Sequence, residues 1–212
     1  PDLEGCAYLA ALTLMPGVYP GSATLAIRTL GRSASYVFCD VDPRSAASLR
    51  DAGVGLDVRV VDADGVSAIE HEAQRGDVDT RDVLVHIDPF EPFERITPDS
   101  RTPVELAGWL ADAGYRLVYW YAYDSVERRG WARDVIAGLA PQAQVWCGDM
   151  LIPASFVYPG RSGAWGCGVV LGNATETETQ VCERLGRGLE RMSEGDVVEG
   201  NDPPRVSFKV MP

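Results

Sequence analysis

The sequence predicts an α/β fold built on a mostly parallel sheet with helices on both faces. Three observations carry that expectation. Short β-branched or aromatic runs alternate with segments of helical period along the chain, the pattern of strands joined by crossover helices. Three early runs end at or beside an acid (Asp40, Asp64 and Asp88), and an open α/β sheet binds its ligands at the carboxyl ends of its strands. A length of 212 residues with 46% hydrophobic content suffices for one domain with a full core, so a single domain over residues 1–212 is expected.

Taken in order, strands are expected at Tyr36–Val41, Val58–Asp62, Val83–Asp88, Leu117–Tyr121, Gln144–Cys147, Gly168–Leu171 and Val206–Val210. The helices between them are expected at Pro43–Ala52, Gly65–Gln74, Thr102–Ala113, Val126–Leu139 and Thr177–Met192. The run Val83 to Asp88 reads as a buried strand, with His86 a core or near-surface histidine. Gly168–Leu171 and Val206–Val210 follow Pro159-Gly160 and read as an antiparallel hairpin at the sheet edge. Polar stretches bearing Gly or Pro, Arg75–Arg81 and Gly195–Arg205, read as loops.

Composition excludes several function classes. No run of about 18 apolar residues occurs, and the N-terminus lacks a basic-then-apolar pattern, so neither membrane nor secretion is indicated and a cytoplasmic location is expected. Cys6, Cys39, Cys147, Cys167 and Cys182 are scattered without a CxxC, which points to reduced thiols and no metal site. A formal net charge of -12 does not invite a polyanion. Arg128, Arg129 and Arg133 form one small basic candidate, set against the reading of a solvated helix face.

Asp40 admits two readings. A carboxylate ending a strand matches the adjacent hydroxyls of a nucleoside ribose; alternatively, Asp40 or Asp42 caps the helix that opens at Pro43. Glu91 and Glu94 read as solvated loop carboxylates, or as partners for a substrate amine. In Tyr119-Trp120-Tyr121-Tyr123 alternate rings are expected in the core, with the others free to line a pocket. Trp165 with Gly163, Gly166 and Gly168 suggests a close backbone approach. Ser22 lacks a nucleophile-elbow setting, so a hydrolase triad is not expected.

The segments "VYPGSATLAIRTL", "YVFCDVDPRSAASL", "VVDADGVSAI", "VLVHIDPFE", "RLVYWYAY", "GAWGCGVVLGN" and "VSFKVMP" follow one another over nearly the whole chain. As an ordered set they resemble the bacterial 23S ribosomal RNA adenine-N6 methyltransferase J family. The resemblance implies a Rossmann-like methyltransferase that uses S-adenosylmethionine, with a seven-stranded type of sheet. It also assigns roles. Tyr19-Pro20-Gly21-Ser22 resembles the turn that encloses the cofactor, with Ser22 as the contact, and Asp40 stands where the family has a ribose-holding glutamate. Asp64-Gly65 resembles the adenine-contacting turn. Asp88-Pro89-Phe90 resembles the DPPY motif, whose acid and proline carbonyl orient the target amino group while the aromatic ring stacks on the base.

Two departures shape the functional expectation. The family's Asp-x-His-Ala-Gly-x-Gly turn is not in this chain, whose opening "PDLEGCAYLAAL" resembles the helix just beyond it, so the first strand is expected to lie outside the chain. The motif Asp88-Pro89-Phe90-Glu91 has one proline fewer and phenylalanine for tyrosine, which shifts the carbonyl of the clamp. The acceptor is accordingly expected to be 23S rRNA or, as an alternative, a small-molecule amine or amino acid. The competing class is a non-catalytic binding or assembly protein that keeps the fold.

Overall fold

The computed structural model describes residues 21–76, 78–153, 163–194 and 206–211. The chain divides into two compact units, one ending at Gly76 and one made of the residues that follow, and each has its own sheet.

The first unit runs α1 (Ser22–Leu30), β1 (Tyr36–Cys39), α2 (Pro43–Ala52), β2 (Val58–Val61) and α3 (Gly65–Arg75). β1 and β2 pair in parallel, with Tyr36 opposite Val58 and Cys39 opposite Val61. Parallel pairing requires a crossover, and α2 supplies it. This helix starts where local chemistry dictates: the Asp42 carboxylate accepts the Arg44 and Ser45 backbone N–H groups at 3.3 and 3.2 Å, with Pro43 in the first turn. Ala46 is its buried contact, and an Arg50–Asp62 ion pair at 2.5 Å ties its last turn to the end of β2. α1 was not expected from the sequence, where Ser22 read as the end of a turn and the residues after it were given no element. Gly21 caps it, no proline interrupts it, and Gly31 ends it at a φ of 54°.

The second unit runs β3 (Leu84–Ile87), α4 (Pro103–Asp112), β4 (Arg116–Tyr123), α5 (Trp131–Leu139), β5 (Val145–Pro153), β6 (Ala164–Gly172), α6 (Glu176–Glu194) and β7 (Ser207–Met211). Its five strands lie in the order β3-β4-β6-β5-β7. β3 and β4 are parallel, while the β4–β6, β6–β5 and β5–β7 pairings are antiparallel. The architecture is thus α/β, but the expectation of one mostly parallel sheet is corrected. The expected terminal hairpin is corrected too, because β5 lies between β6 and β7. The physical reason is in the register: Tyr121, Gly168 and Asp149 form one row across β4, β6 and β5, and a bond from the first to the third locks β6 between them.

α4 begins with a reciprocal capping box between Thr102 and Glu105 and turns Val104, Leu106, Ala107, Leu110 and Ala111 into the core. The helix packs against α5, where Ala132 and Ile136 are buried, and against β4, where Leu117, Tyr119, Tyr121 and Tyr123 are buried. At about 1.5–3 kcal/mol for each fully buried large apolar side chain, this layer is the main stabilising block of the unit. The other face of the sheet carries α6, whose Gly186 lies against the Phe208 ring of β7. The single helix expected at Val126–Leu139 is broken: a 3-10 turn at Val126–Arg128 leads to Gly130, whose φ of 79° restarts the chain as α5. Asn173, the first residue of a glycosylation sequon, has structural work instead. Its amide donates to the Ala111 and Tyr115 carbonyls at 2.7 and 2.9 Å.

β3 is not the fully buried strand expected at Val83–Asp88. It lies at the sheet edge, with Leu84 56% exposed, His86 exposed, Val85 half-buried and Ile87 buried. His86 is therefore a near-surface side chain rather than a core one.

Candidate functional site

Each strand-end acid sits at the carboxyl end of a parallel strand. In the first unit, β1 delivers Asp40 and β2 leads to Asp64-Gly65. Neighbouring strands lie about 4.8 Å apart, so the two turns share one edge. A Cβ placed on Gly65 would stand 3.9 Å from the Cys39 Cβ, which confirms that the Asp64-Gly65 turn abuts the end of β1. That is an ordinary contact distance, so packing in the unit does not demand glycine here.

Asp42 caps α2, and Asp40 does not. The Asp40 Oδ1 instead accepts the Asp42 N–H at 2.8 Å and folds the turn, while Oδ2 makes no hydrogen bond to a described residue. Asp64 is the N-cap of α3, its Oδ2 accepting the Ser67 N–H at 2.9 Å. Both acids thus have one oxygen fixed by the backbone and one directed elsewhere. Ser22 is exposed at the first position of α1, beside Gly21. Tyr19 and Pro20 of the same motif, Cys6, Pro159-Gly160 and the loop over 195–205 lie outside the described residues.

In the second unit, β3 ends at Ile87 and the chain leaves it through Asp88-Pro89-Phe90. Asp88 is exposed and makes no hydrogen bond to a described residue, Pro89 is half-buried, and Phe90 is 96% exposed. An aromatic ring that gains nothing from the core stands next to an uncommitted carboxylate. Glu91 and Glu94 are exposed loop carboxylates. Farther on, the loop is held: Arg95 donates to the Ser100 carbonyl and, at 2.5 Å, to Glu105, and the Val104 N–H reaches the Pro92 carbonyl at 3.3 Å. The Phe93 ring packs on Trp131 at 4.8 Å between centroids.

Behind this loop lies a polar cluster that sequence reasoning missed. Asp149, fully buried in β5, accepts the Tyr121 and Tyr123 hydroxyls at 2.6 Å each and pairs with Arg129 at 2.5 Å. Arg129 also donates to the Asp149 and Ser207 carbonyls, both at 3.2 Å, which joins β5, β7 and the loop before α5. The charge is tolerated because hydroxyl and guanidinium donors meet both carboxylate oxygens. Gly166 and Gly168 of β6 make the reach possible. A Cβ there would fall 1.9 Å from the Tyr123 ring and 2.5 Å from the Tyr121 ring, so the tyrosines cross β6 only where it has no side chain. Of the glycines grouped with Trp165, Gly166 and Gly168 thus serve the core, and Gly163 has nothing within 4 Å of where its Cβ would stand. An acid inside the run "VWCGDMLIP" was the available signal.

Burial holds the Tyr121 and Tyr123 hydroxyls in their protonated, donating form, and it pushes the Cys147 thiol, 3.4 Å from the Tyr121 hydroxyl, up to about 11. Tyr119 is buried as well, whereas Trp120 on the opposite face is 36% exposed. The basic candidate does not form a patch: Arg129 is committed to Asp149, Arg133 pairs with Asp134 at 3.0 Å, and Arg128 lies 3.7 Å from Asp124. Among the described residues no group of three or more His, Cys, Asp and Glu side chains is placed to hold a metal ion. No described helix is long and apolar enough to cross a membrane.

No family model matches the chain, and no curated protein matches its sequence. Among solved structures, it is similar to a crystal structure of a protein from Legionella pneumophila str. Philadelphia 1 assigned to family DUF519. The TM-score is 0.66 at 18% identity, over the whole of this chain and 74% of the other. At that identity the likeness speaks to the fold.

Proposed function

We propose that the chain is an S-adenosylmethionine-dependent N-methyltransferase of Rossmann-like fold, in which Asp88 orients the acceptor amino group. The observation that carries this reading is the exposed Asp88 carboxylate at the end of β3, without a hydrogen bond to a described residue, beside the 96% exposed Phe90. A carboxylate is an acceptor only, so it binds an amino N–H and turns the nitrogen lone pair away from itself. Phe90 offers a π-face to a flat acceptor, and stacking fixes the plane in which that lone pair lies. The Pro89 carbonyl is the second acceptor for an amino group with two hydrogens. Such a site accelerates by holding the reacting atoms in line, with little acid–base work required of the protein.

The first unit fits the cofactor in kind. Asp40 Oδ2 makes no hydrogen bond to a described residue, so it can receive a ribose hydroxyl, and the Asp64-Gly65 turn stands beside it to meet a base. Ser22 would add a hydroxyl contact from the start of α1. The bound cofactor would supply an electrophilic methyl group; the residues named here bind and orient.

The acceptor is 23S rRNA or a small-molecule amine, and the net charge of -12 together with the shortened motif supports testing both. Transfer of labelled methyl groups to deproteinised 23S rRNA and to metabolite extracts separates the two. Transfer to neither, with no heat on calorimetric titration with S-adenosylmethionine or S-adenosylhomocysteine, would leave the non-catalytic binding reading in its place.

A further inference from the structure

The loop that follows Asp88-Pro89-Phe90 is attached to the core at one aromatic point. Phe93 is itself 60% exposed, yet its ring packs on Trp131 at 4.8 Å, tilted by 42°. Trp131 has little freedom to move: its Nε1 donates to the Ala122 carbonyl at 3.2 Å, and it meets the Tyr121 ring edge-on at 5.5 Å. Tyr121 is held in turn by Asp149 at 2.6 Å, and Asp149 by Arg129. A continuous set of contacts thus runs from a buried ion pair, through two rings, to a side chain three residues beyond Phe90. Phe93 lies inside a turn that begins one residue after Phe90, the Glu94 N–H pointing to the Glu91 carbonyl at 3.4 Å. Such a turn passes the position of Phe93 on to the residues before it.

We infer that Phe93 and Trp131 are positioning residues for the Asp88-Pro89-Phe90 acceptor site, an inference that rests on the methyltransferase reading. Neither ring touches the acceptor. They limit where the loop sits, and so where the Asp88 carboxylate and the Phe90 face stand relative to each other. Phe90, with almost no contact of its own, depends on an anchor elsewhere in the loop. Two other ties hold the same loop: the Pro92 carbonyl accepts the Val104 N–H at 3.3 Å, and Arg95 binds Glu105 and the Ser100 carbonyl beyond Phe93; the Phe93 ring is the side-chain tie nearest Phe90.

Phe93→Ala removes the anchor without opening the core, because Phe93 is mostly exposed. Phe93→Tyr keeps the ring. Hydrogen exchange resolved by peptide is expected to show residues 88–94 exchanging about tenfold faster in Phe93→Ala, with α4, α5 and β4 unchanged and with Phe93→Tyr restored to the wild-type rate. In the labelled-methyl assay kcat is expected to fall about 10- to 100-fold in Phe93→Ala, with the calorimetric affinity for S-adenosylhomocysteine unchanged and with rescue by Phe93→Tyr. Unchanged loop exchange, or faster exchange with an unchanged kcat, would overturn the inference while leaving the methyltransferase reading intact. A wild-type chain that methylates no acceptor removes the reading and the positioning role together, whatever the loop does.

Discussion

Asp149 is the residue on which the second unit turns. Its side chain is fully buried, and it accepts from two hydroxyls and a guanidinium at once. Removing one partner of such a buried pair strands the other, at a cost of roughly 3–5 kcal/mol. Asp149→Ala is therefore expected to lower the unfolding free energy measured by urea titration by an amount of that order, and Arg129→Ala comparably. A loss below about 1 kcal/mol in either would mean the network is dispensable. Cys147 gives a second residue-level test. Its thiol pKa is raised by burial from 9.0 to about 11, so the folded state disfavours the thiolate. The sign follows: its contribution is complete below pH 9 and is lost as pH rises from 9 through about 11. Stability is expected to fall across that window, and less steeply in Cys147→Ala; equal slopes would remove Cys147 from the explanation.

At the scale of elements, the glycines of β6 carry the sheet order. Gly168→Ala would put a Cβ 2.5 Å from the Tyr121 ring and should destabilise by about 1–3 kcal/mol. In a double-mutant cycle with Tyr121→Leu, much of that loss is expected to disappear; strict additivity would show that the ring and the glycine do not meet. What was legible in the sequence follows the same logic. α2 was expected at Pro43–Ala52 and is found there, because its start is written locally in Asp42-Pro43. α3 and α4 start within a residue of expectation for the same reason. The sheet order was not legible. It depends on which strands accept a neighbour on each side, and that was decided by a Tyr–Gly–Asp row joining residues 121, 168 and 149. β4 and β5 also proved longer than their apolar runs, since Tyr123 and Asp149 are buried by partners far away in sequence.

For the whole molecule, the strand-end acids were legible as positions and their chemistry only in part. The sequence placed Asp40, Asp64 and Asp88 at strand ends; the structure added that Asp40 has one oxygen that no described residue hydrogen-bonds, that Asp64 is a helix cap, and that Asp88 stands exposed beside Phe90. The anchor made by Phe93 and Trp131 left no mark in the pattern, because the two rings are 38 residues apart by their numbers. If the first unit holds the ribose, Asp40→Asn should weaken S-adenosylhomocysteine binding about tenfold or more, one carboxylate-assisted hydrogen bond being roughly 1.5–3 kcal/mol. Unaltered affinity would move the ribose elsewhere.

The central claim is that Asp88 orients an acceptor amino group for methyl transfer. The direct measurement is the rate of labelled methyl transfer, to 23S rRNA or to an amine from a metabolite extract, by the wild type and by Asp88→Asn, with cofactor affinity measured alongside. Transfer by the wild type and a loss of about 100-fold or more in Asp88→Asn, at unchanged cofactor affinity, are expected. Equal rates in the two proteins would contradict it.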